Sequence, residues 1–426
     1  MCSEVESATM SGYSAFESLS DMPYAVSDYN IAIDNTTGYV YIAGGCDTAQ
    51  TCAGPLTGFS CVCSELTNKA LKYDIPNDAW STLADMPGAL YRHVGGLLDG
   101  KFYVIGGRDV NDNLVTSMYI YNVASNSWAT SSTTWTAALS DSAAVVFGDS
   151  IYVAGGYDAT YTLMGTLSKF TPASGTSITI TTLSSMNTAR GDVNAHLIDS
   201  IMYVIGGWDS AVCTVLKTVE AYNFSANSWS TKSSMADGRA DMAIGSLDGH
   251  LFAIAGEQYD TGDSCNSKVN TPVDEVERYD ITANTWYPEQ NIPLSLFRFH
   301  GVSYEHETSP AIFIFGGQGT FVGTEADGGY FPIKLSTIKY IPVTTYNTYY
   351  KKSLNDGEIA GIVIGTIVAA VVVFAGIVAY IGYRNRGYFT KSDILTSEKE
   401  GSNAGVMASN NEDDDLAEIN FSGSGL

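Results

Sequence analysis

The stretch KFYVIGGRD, residues 101–109, decides how this chain folds. Four apolar or aromatic residues run into Gly106 and Gly107, and a charged turn follows. The phrase returns as YVYIAGGCD at Gly44-Gly45, SIYVAGGYD at Gly155-Gly156 and IMYVIGGWD at Gly206-Gly207. It returns again as HLFAIAGEQ at Ala255-Gly256 and AIFIFGGQG at Gly316-Gly317, which makes six copies. Short runs rich in Tyr, Val, Ile and Phe, bounded by turn residues, read as buried strands. A glycine pair ends such a strand where no Cβ fits, through a positive φ or a close backbone approach. The first members of the six pairs lie 62, 49, 51, 49 and 61 residues apart. A period of about 50 belongs to propeller blades rather than to helical solenoids.

A second mark keeps the same register. A tyrosine stands seven residues before a tryptophan at Tyr73/Trp80, Tyr121/Trp128, Tyr222/Trp229 and Tyr279/Trp286. On these marks the chain resembles the kelch-repeat β-propellers, whose blades carry an apolar strand, Gly-Gly, then Tyr, six residues and Trp. The resemblance covers residues 13–343 and implies an all-β, six-bladed kelch-type β-propeller. Two blades depart from it. Phe170 replaces Tyr in the third, with Ser177 at the Trp position, and Asn347 holds that position in the sixth. YSAFESLSDMP, residues 13–23, echoes NDAWSTLADMP, residues 77–87, with Phe16 in the place of Trp80. The N-terminal segment is therefore expected to supply the outer strand of the sixth blade. Closure of this kind removes the sheet edges of the ring.

Outside the propeller the chain changes character. Residues 1–12 are polar and read as a flexible start, and no apolar run follows Met1 as a secretory signal would require. Two topologies stay open: a true start further upstream with the propeller outside the membrane, or a propeller facing the cytosol. Residues 344–358 form a polar juxtamembrane linker. Residues 359–383 begin with 23 residues free of charge, Pro, Asn and Gln. A spanning helix takes about 20, so one transmembrane helix is expected here. Within it, Gly361 and Gly365 permit close helix approach and a homodimer, or are simply small residues in a membrane span. Residues 384–426, rich in Ser, Asn, Gly and acids, read as a disordered cytoplasmic tail.

The chain of 426 residues holds 21 Lys and Arg against 46 Asp and Glu, a net charge of −25. Such a surface repels nucleic acid and anionic lipid. It suits basic partners, cations or neutral glycans, and it also keeps a Tyr-rich sheet protein soluble. Six of the seven cysteines fall in one segment of the repeat, just after Gly-Gly: Cys46, Cys52, Cys61 and Cys63 in the first blade, Cys213 in the fourth and Cys265 in the fifth. That pattern points to disulfides and an oxidising compartment. Cys213 is expected to pair with Cys265. Cys61 and Cys63 each take one of Cys46 and Cys52, in an order the spacing leaves open. Asn35 and Asn223 head glycosylation sequons in the propeller, and Asn420 heads one in the tail.

Chemistry could sit at the channel mouth. Upstream of each inner strand, the glycine register selects Asp28, His93, Asp141, Asp192, Asp241 and His300. Innermost strands line a propeller's channel, so these residues form a candidate binding ring. Within it His300, Asp28 and His93 would be neighbours, a non-haem iron pattern, or all six merely cap strands and bind water. Arg190, Arg239 and Arg298 stand two before three of these positions. From such places the kelch resemblance implies a pocket for acidic peptides; otherwise each packs over a strand and pairs with the adjacent Asp. Asp47, Asp109, Asp158 and Asp209 follow Gly-Gly after one residue and read as turn formers. No Walker loop, GxSxG or HExxH motif occurs, and nothing in the sequence asks for a cofactor. The expected function is a single-pass membrane protein presenting a propeller that binds a protein or glycan. The alternatives are a propeller enzyme with a metal at the channel mouth and a cytosol-facing scaffold. Insertions at residues 46–66, 258–276 and 318–336 mark the recognition face.

Overall fold

The computed structural model describes residues 15–47, 50–52, 61–63, 65–209, 213–259, 270–306, 310–319, 329–330, 336–342, 406–407 and 420–421. Six four-stranded antiparallel sheets form the blades. Their inner strands are Asn30–Asp34, Val94–Leu98, Ala143–Phe147, Asn194–Ile198, Ala243–Leu247 and His300–Tyr304. Each inner strand contacts the next, and the sixth contacts the first, so the ring is closed. Second strands such as Lys101–Ile105 are buried along almost their whole length between neighbouring blades. This is why they read as continuous apolar runs rather than as alternating ones.

The sixth blade is built from both ends of the chain. Phe16–Asp21 pairs with Ser336–Tyr340, and Phe16 lies opposite Tyr340 with ring centroids 4.9 Å apart. Phe16 therefore does occupy the tryptophan place. In four other blades the Tyr/Trp pairs are cross-strand partners, with centroids 4.8 to 5.1 Å apart. Each indole N–H donates to the neighbouring blade, at Ser20, Ala84, Ser184 and Ser233 carbonyls. The third blade differs from the expectation: Phe170 faces Ile180, not Ser177. Its ladder runs one residue further before the turn, and Trp135 fills the aromatic place edge-on to Phe170 at 5.0 Å.

Cys46 and Cys63 form a disulfide with Cα atoms 5.8 Å apart. Cys52 lies opposite Cys61 in the ladder between Gln50–Cys52 and Cys61–Cys63, which extends to Gly329–Tyr330 of the sixth-blade insertion. Cys213 is also disulfide-bonded; Cys265, its expected partner, lies outside the described residues. So do residues 344–405, which include the expected membrane span with Gly361 and Gly365. Among the described residues no helix is long and apolar enough to cross a membrane. Residues beyond 353 form a separate unit, in which Val406–Met407 pairs with Asn420–Phe421.

Candidate functional site

One crossing segment, repeated six times, builds the channel mouth. The residue after each glycine pair bonds antiparallel to the segment that enters the inner strand of the same sheet. The pairs are Ser27 with Cys46, Tyr91 with Arg108, Ser140 with Tyr157, Gly191 with Trp208, Ala240 with Glu257 and Phe297 with Gln318. The approach is close: a Cβ on Gly45 would lie 2.5 Å from the Ser27 carbonyl oxygen. The chain must then reverse into the inner strand, and in every blade one residue in the left-handed region does this. These residues are Asp28, Arg92, Asp141, Asp192, Asp241 and Arg298, with φ between 49° and 56°. Short acidic side chains tolerate that region through local hydrogen bonds, whereas arginine does so at a cost. Backbone bonds tie neighbours around the ring: Arg92 N–H to Asp28 O at 2.9 Å, Asp141 to Arg92 at 3.0 Å, Arg298 to Asp241 at 3.0 Å and Asp241 to Asp192 at 3.0 Å.

Four of the six expected ring residues are therefore in place, and two are not. His93 lies one residue past the ring and His300 two; Arg92 and Arg298 hold their positions. The cause is hairpin length. Counting back from the glycines crosses the inner hairpin, whose turn is two residues long in the second blade, four in the first and six in the sixth. His93 Nε2 lies 2.9 Å from the Ala43 carbonyl oxygen of the preceding blade. A Cβ on Gly44 would lie 2.6 Å from its ring. Tyr29 fills the same slot in the first blade, its hydroxyl donating to Phe315 O at 2.5 Å. Both are struts between blades; His300, Asp28 and His93 all line the narrow end of the channel but do not form a metal-holding trio. Among the described residues no three metal-ligating side chains converge.

Arg190 and Arg239 stand elsewhere too. Both are fully buried and pair not with the adjacent Asp but with a glutamate on the third strand, Glu220 at 2.7 Å and Glu277 at 2.8 Å. Arg190 also donates to Gly206 O and Thr218 O, and Arg239 to Ala255 O and Glu275 O. Arg298 is a ring member. Asp109 and Asp158 do form turns, each accepting two backbone N–H bonds at 2.7 to 2.9 Å.

The ring's charges are unevenly matched. Arg92 Nε lies 3.4 Å from Asp141 and 3.9 Å from Asp28; Arg298 Nε lies 3.2 Å from Asp241 and 3.9 Å from Asp28. Asp192 has only carboxylates on either side along the ring, and accepts a 2.6 Å bond from the Tyr157 hydroxyl. Burial, and then the charges of Asp241 and Asp141, push Asp192 well above the usual carboxylate range. Burial and the Glu257 charge do the same to Asp241, and burial raises Asp141 against the pull of Arg92.

Beyond the ring the channel widens to a cavity of about 430 Å³. Its wall includes Asn30, Asn194, His196, His300 and Ser246. His196 Nε2 lies 2.9 Å from Ser246 Oγ. Burial pushes His93, His196 and His300 down to about 4, so all three are neutral at neutral pH. A histidine whose folded value lies below its unfolded 6.5 adds stability that is full above that pH and is lost as pH falls toward 4. Asp192, raised on folding, works in the opposite direction and relieves the fold as pH falls. Replacing His196 with Gln is therefore expected to flatten the fall in melting temperature between pH 6.5 and 4, relative to the parent. Parallel pH profiles for the two proteins would disprove the assignment.

Comparison with known proteins agrees with this architecture. The KLHDC2/KLHL20/DRC7 Kelch-repeats domain matches residues 92–317, just over half of the chain. The Kelch-like protein terF of Aspergillus terreus is 28% identical over 250 residues, which is 57% of this chain and 53% of that protein. Kelch-like protein 38 of Rattus norvegicus is 32% identical over 93 residues, 22% of this chain and 16% of its own. Beta-scruin of Limulus polyphemus is 31% identical over 91 residues, 21% of this chain and 9% of its own. The chain thus spans about half the length of the first of these relatives and far less of the others. The solved structure of YjhT superposes with a TM-score of 0.59 at 15% identity, over 76% of this chain and 95% of that one, a likeness of fold alone. With six closed blades, the Gly-Gly register and the matched domain in hand, the chain belongs to the kelch-repeat β-propeller family.

Proposed function

We propose that this protein is a single-pass membrane protein whose propeller, held outside the cytosol, binds a protein or glycan through the face that carries the ring and the long insertions. Kelch domains in general bind protein partners. The observation that carries the reading is directional. All three insertions depart just after a glycine pair, so they leave the blades at the ring end. Asn35 and Asn223 are exposed and lie at the other end, in turns leaving the inner and third strands. Sugar there would leave the loop face open. The Cys46–Cys63 disulfide and bonded Cys213 favour an oxidising compartment.

Non-reducing peptide mapping of protein from its native source tests the topology. The expected links are Cys46–Cys63, Cys52–Cys61 and Cys213–Cys265, with sugar on Asn35 and Asn223 and none on Asn420. Six free thiols would instead place the propeller in the cytosol, and sugar on Asn420 would invert the orientation. Cross-linking in intact cells tests the face. Cross-links to the partner are expected in residues 46–66, 258–276 and 318–336; links confined to the turns at Asp99, Asp199 and Asp248 would reverse it.

A further inference from the structure

The channel has unmet electrostatic demand at its narrow end. Asp28, Asp141, Asp192 and Asp241 of the ring, with Glu257 beside Asp241, set five acidic groups against Arg92 and Arg298. These groups are shielded from water: Asp28 and Asp141 side chains are 5% and 6% exposed, and Glu257 is 1% exposed. Arg92 lies between Asp28 and Asp141, and Arg298 between Asp28 and Asp241, so two arginines are shared among four ring carboxylates and Asp192 has none beside it along the ring. Asp141 Oδ2 is buried with no hydrogen-bond partner, a costly state for a carboxylate oxygen. The six ring residues line a space of about 40 Å³, which shares His93, Asn194 and His300 with the wall of the wider channel.

We propose that the channel is a binding site for a linear di- or polyamine, with one primary ammonium group seated at Asp141, Asp192 and Asp241. The size of the narrow end admits one group of about the volume of a water molecule, which an ammonium is and a planar guanidinium is not. A metal ion needs three or more ligand atoms converging at one short distance, and no such group exists among the described residues. An ammonium asks less, since its three N–H donors reach separate acceptors at about 2.8 Å. The wall suits the rest of the molecule. Ala144, Val145, Ile244 and Val302 offer apolar contact to methylenes. The histidines are neutral and do not repel a cation. Glu305 at the wide end provides a second anion. Inner strands of five residues set these ends about 17 Å apart, close to the length of extended spermine and beyond that of spermidine or putrescine.

Calorimetric titration of the folded protein with spermine, spermidine and putrescine, at about 0.15 M salt where surface attraction is screened, tests this. Saturable one-to-one binding of spermidine is expected, weakened about tenfold or more by Asp192→Asn. Asp237→Asn, which removes the same charge from an exposed position, is expected to leave it unchanged. Glu305→Gln should weaken spermine, which spans the channel, more than spermidine or putrescine, which fall short of Glu305. Equal weakening by Asp192→Asn and Asp237→Asn, or binding that never saturates, would mean only general attraction to an acidic protein and would overturn the proposal. So would displacement of spermidine by equimolar potassium or magnesium. Melting curves of each variant separate loss of binding from loss of fold.

Discussion

A chain that lacks residues 1–23 is expected to lose its cooperative fold. The sixth blade would keep three strands, and Ser336–Tyr340 would become an open edge. Such an edge is a template for pairing with other chains. The loss goes beyond one ladder. Met22 is fully buried in the cluster of Val26, Tyr29, Tyr73 and Phe315, and Ala15 is buried against Tyr340 and Phe252. Ser20 also ties the strand to the first blade: its N–H donates to Asp78 at 2.8 Å, and its carbonyl accepts from Trp80. Removing one buried Met, an aromatic stack and several backbone bonds sums to more than about 5 kcal/mol, much of the stability of an ordinary domain. Urea unfolding and light scattering would show early, sloping transitions and aggregation. A synthetic peptide of residues 13–23 added in trans is expected to restore part of the lost stability. An unchanged melting temperature in the truncated chain would end the account of ring closure.

The second large effect lies inside the fourth blade. Arg190 is fully buried, and its charge is met by Glu220, whose side chain is 3% exposed. Glu220 is itself saturated by Asn187 N–H and side-chain amide at 2.8 Å and by Thr188 N–H at 3.1 Å. Replacing Glu220 with Leu leaves a guanidinium in the sheet with no counter-charge, expected to cost about 3–5 kcal/mol. The first blade suggests the repair, because it carries Val26 and Leu71 at the two equivalent places, both fully buried in one cluster. The double variant Arg190→Val with Glu220→Leu is expected to recover most of the loss, short of the acceptor that Asn187 and Thr188 give up. Denaturant midpoints of the parent, the single variant and the double variant decide the matter. A single variant within about 1 kcal/mol of the parent, the worth of an exposed pair, would refute a buried role.

The blades and their closure were legible because their marks are local and repeat. A strand that ends on Gly44-Gly45 or Gly106-Gly107 does so for steric reasons confined to a few residues. The Tyr/Trp pairs span one hairpin and so hold a constant spacing. A third member stood in the same words unread: Asp78, Asn126, Asn227 and Asn284, two before each Trp, accept the tyrosine hydroxyl in every case. The ring was legible only where spacing was conserved. Counted from the glycines, the path crosses hairpins of different length, and the count fell on His93 and His300, which line the channel, rather than on Arg92 and Arg298, which hold the ring position. Counted forward from Met22, Met86, Trp135, Met186, Met235 and Ile292, the ring residue comes six places later in all six blades. Each of those residues is buried, and the backbone between it and the ring is held by the pairing of crossing segment and glycine turn, so no insertion is tolerated there. The partners of Arg190 and Arg239 had no such sign. Glu220 and Glu277 lie 30 and 38 residues further on, and only the folding of the third strand against the entry loop brings those charges together. Local sterics thus set the blades from sequence, whereas the match of buried charges, at the ring and within the blades, depends on contacts that exist only once the ring has closed.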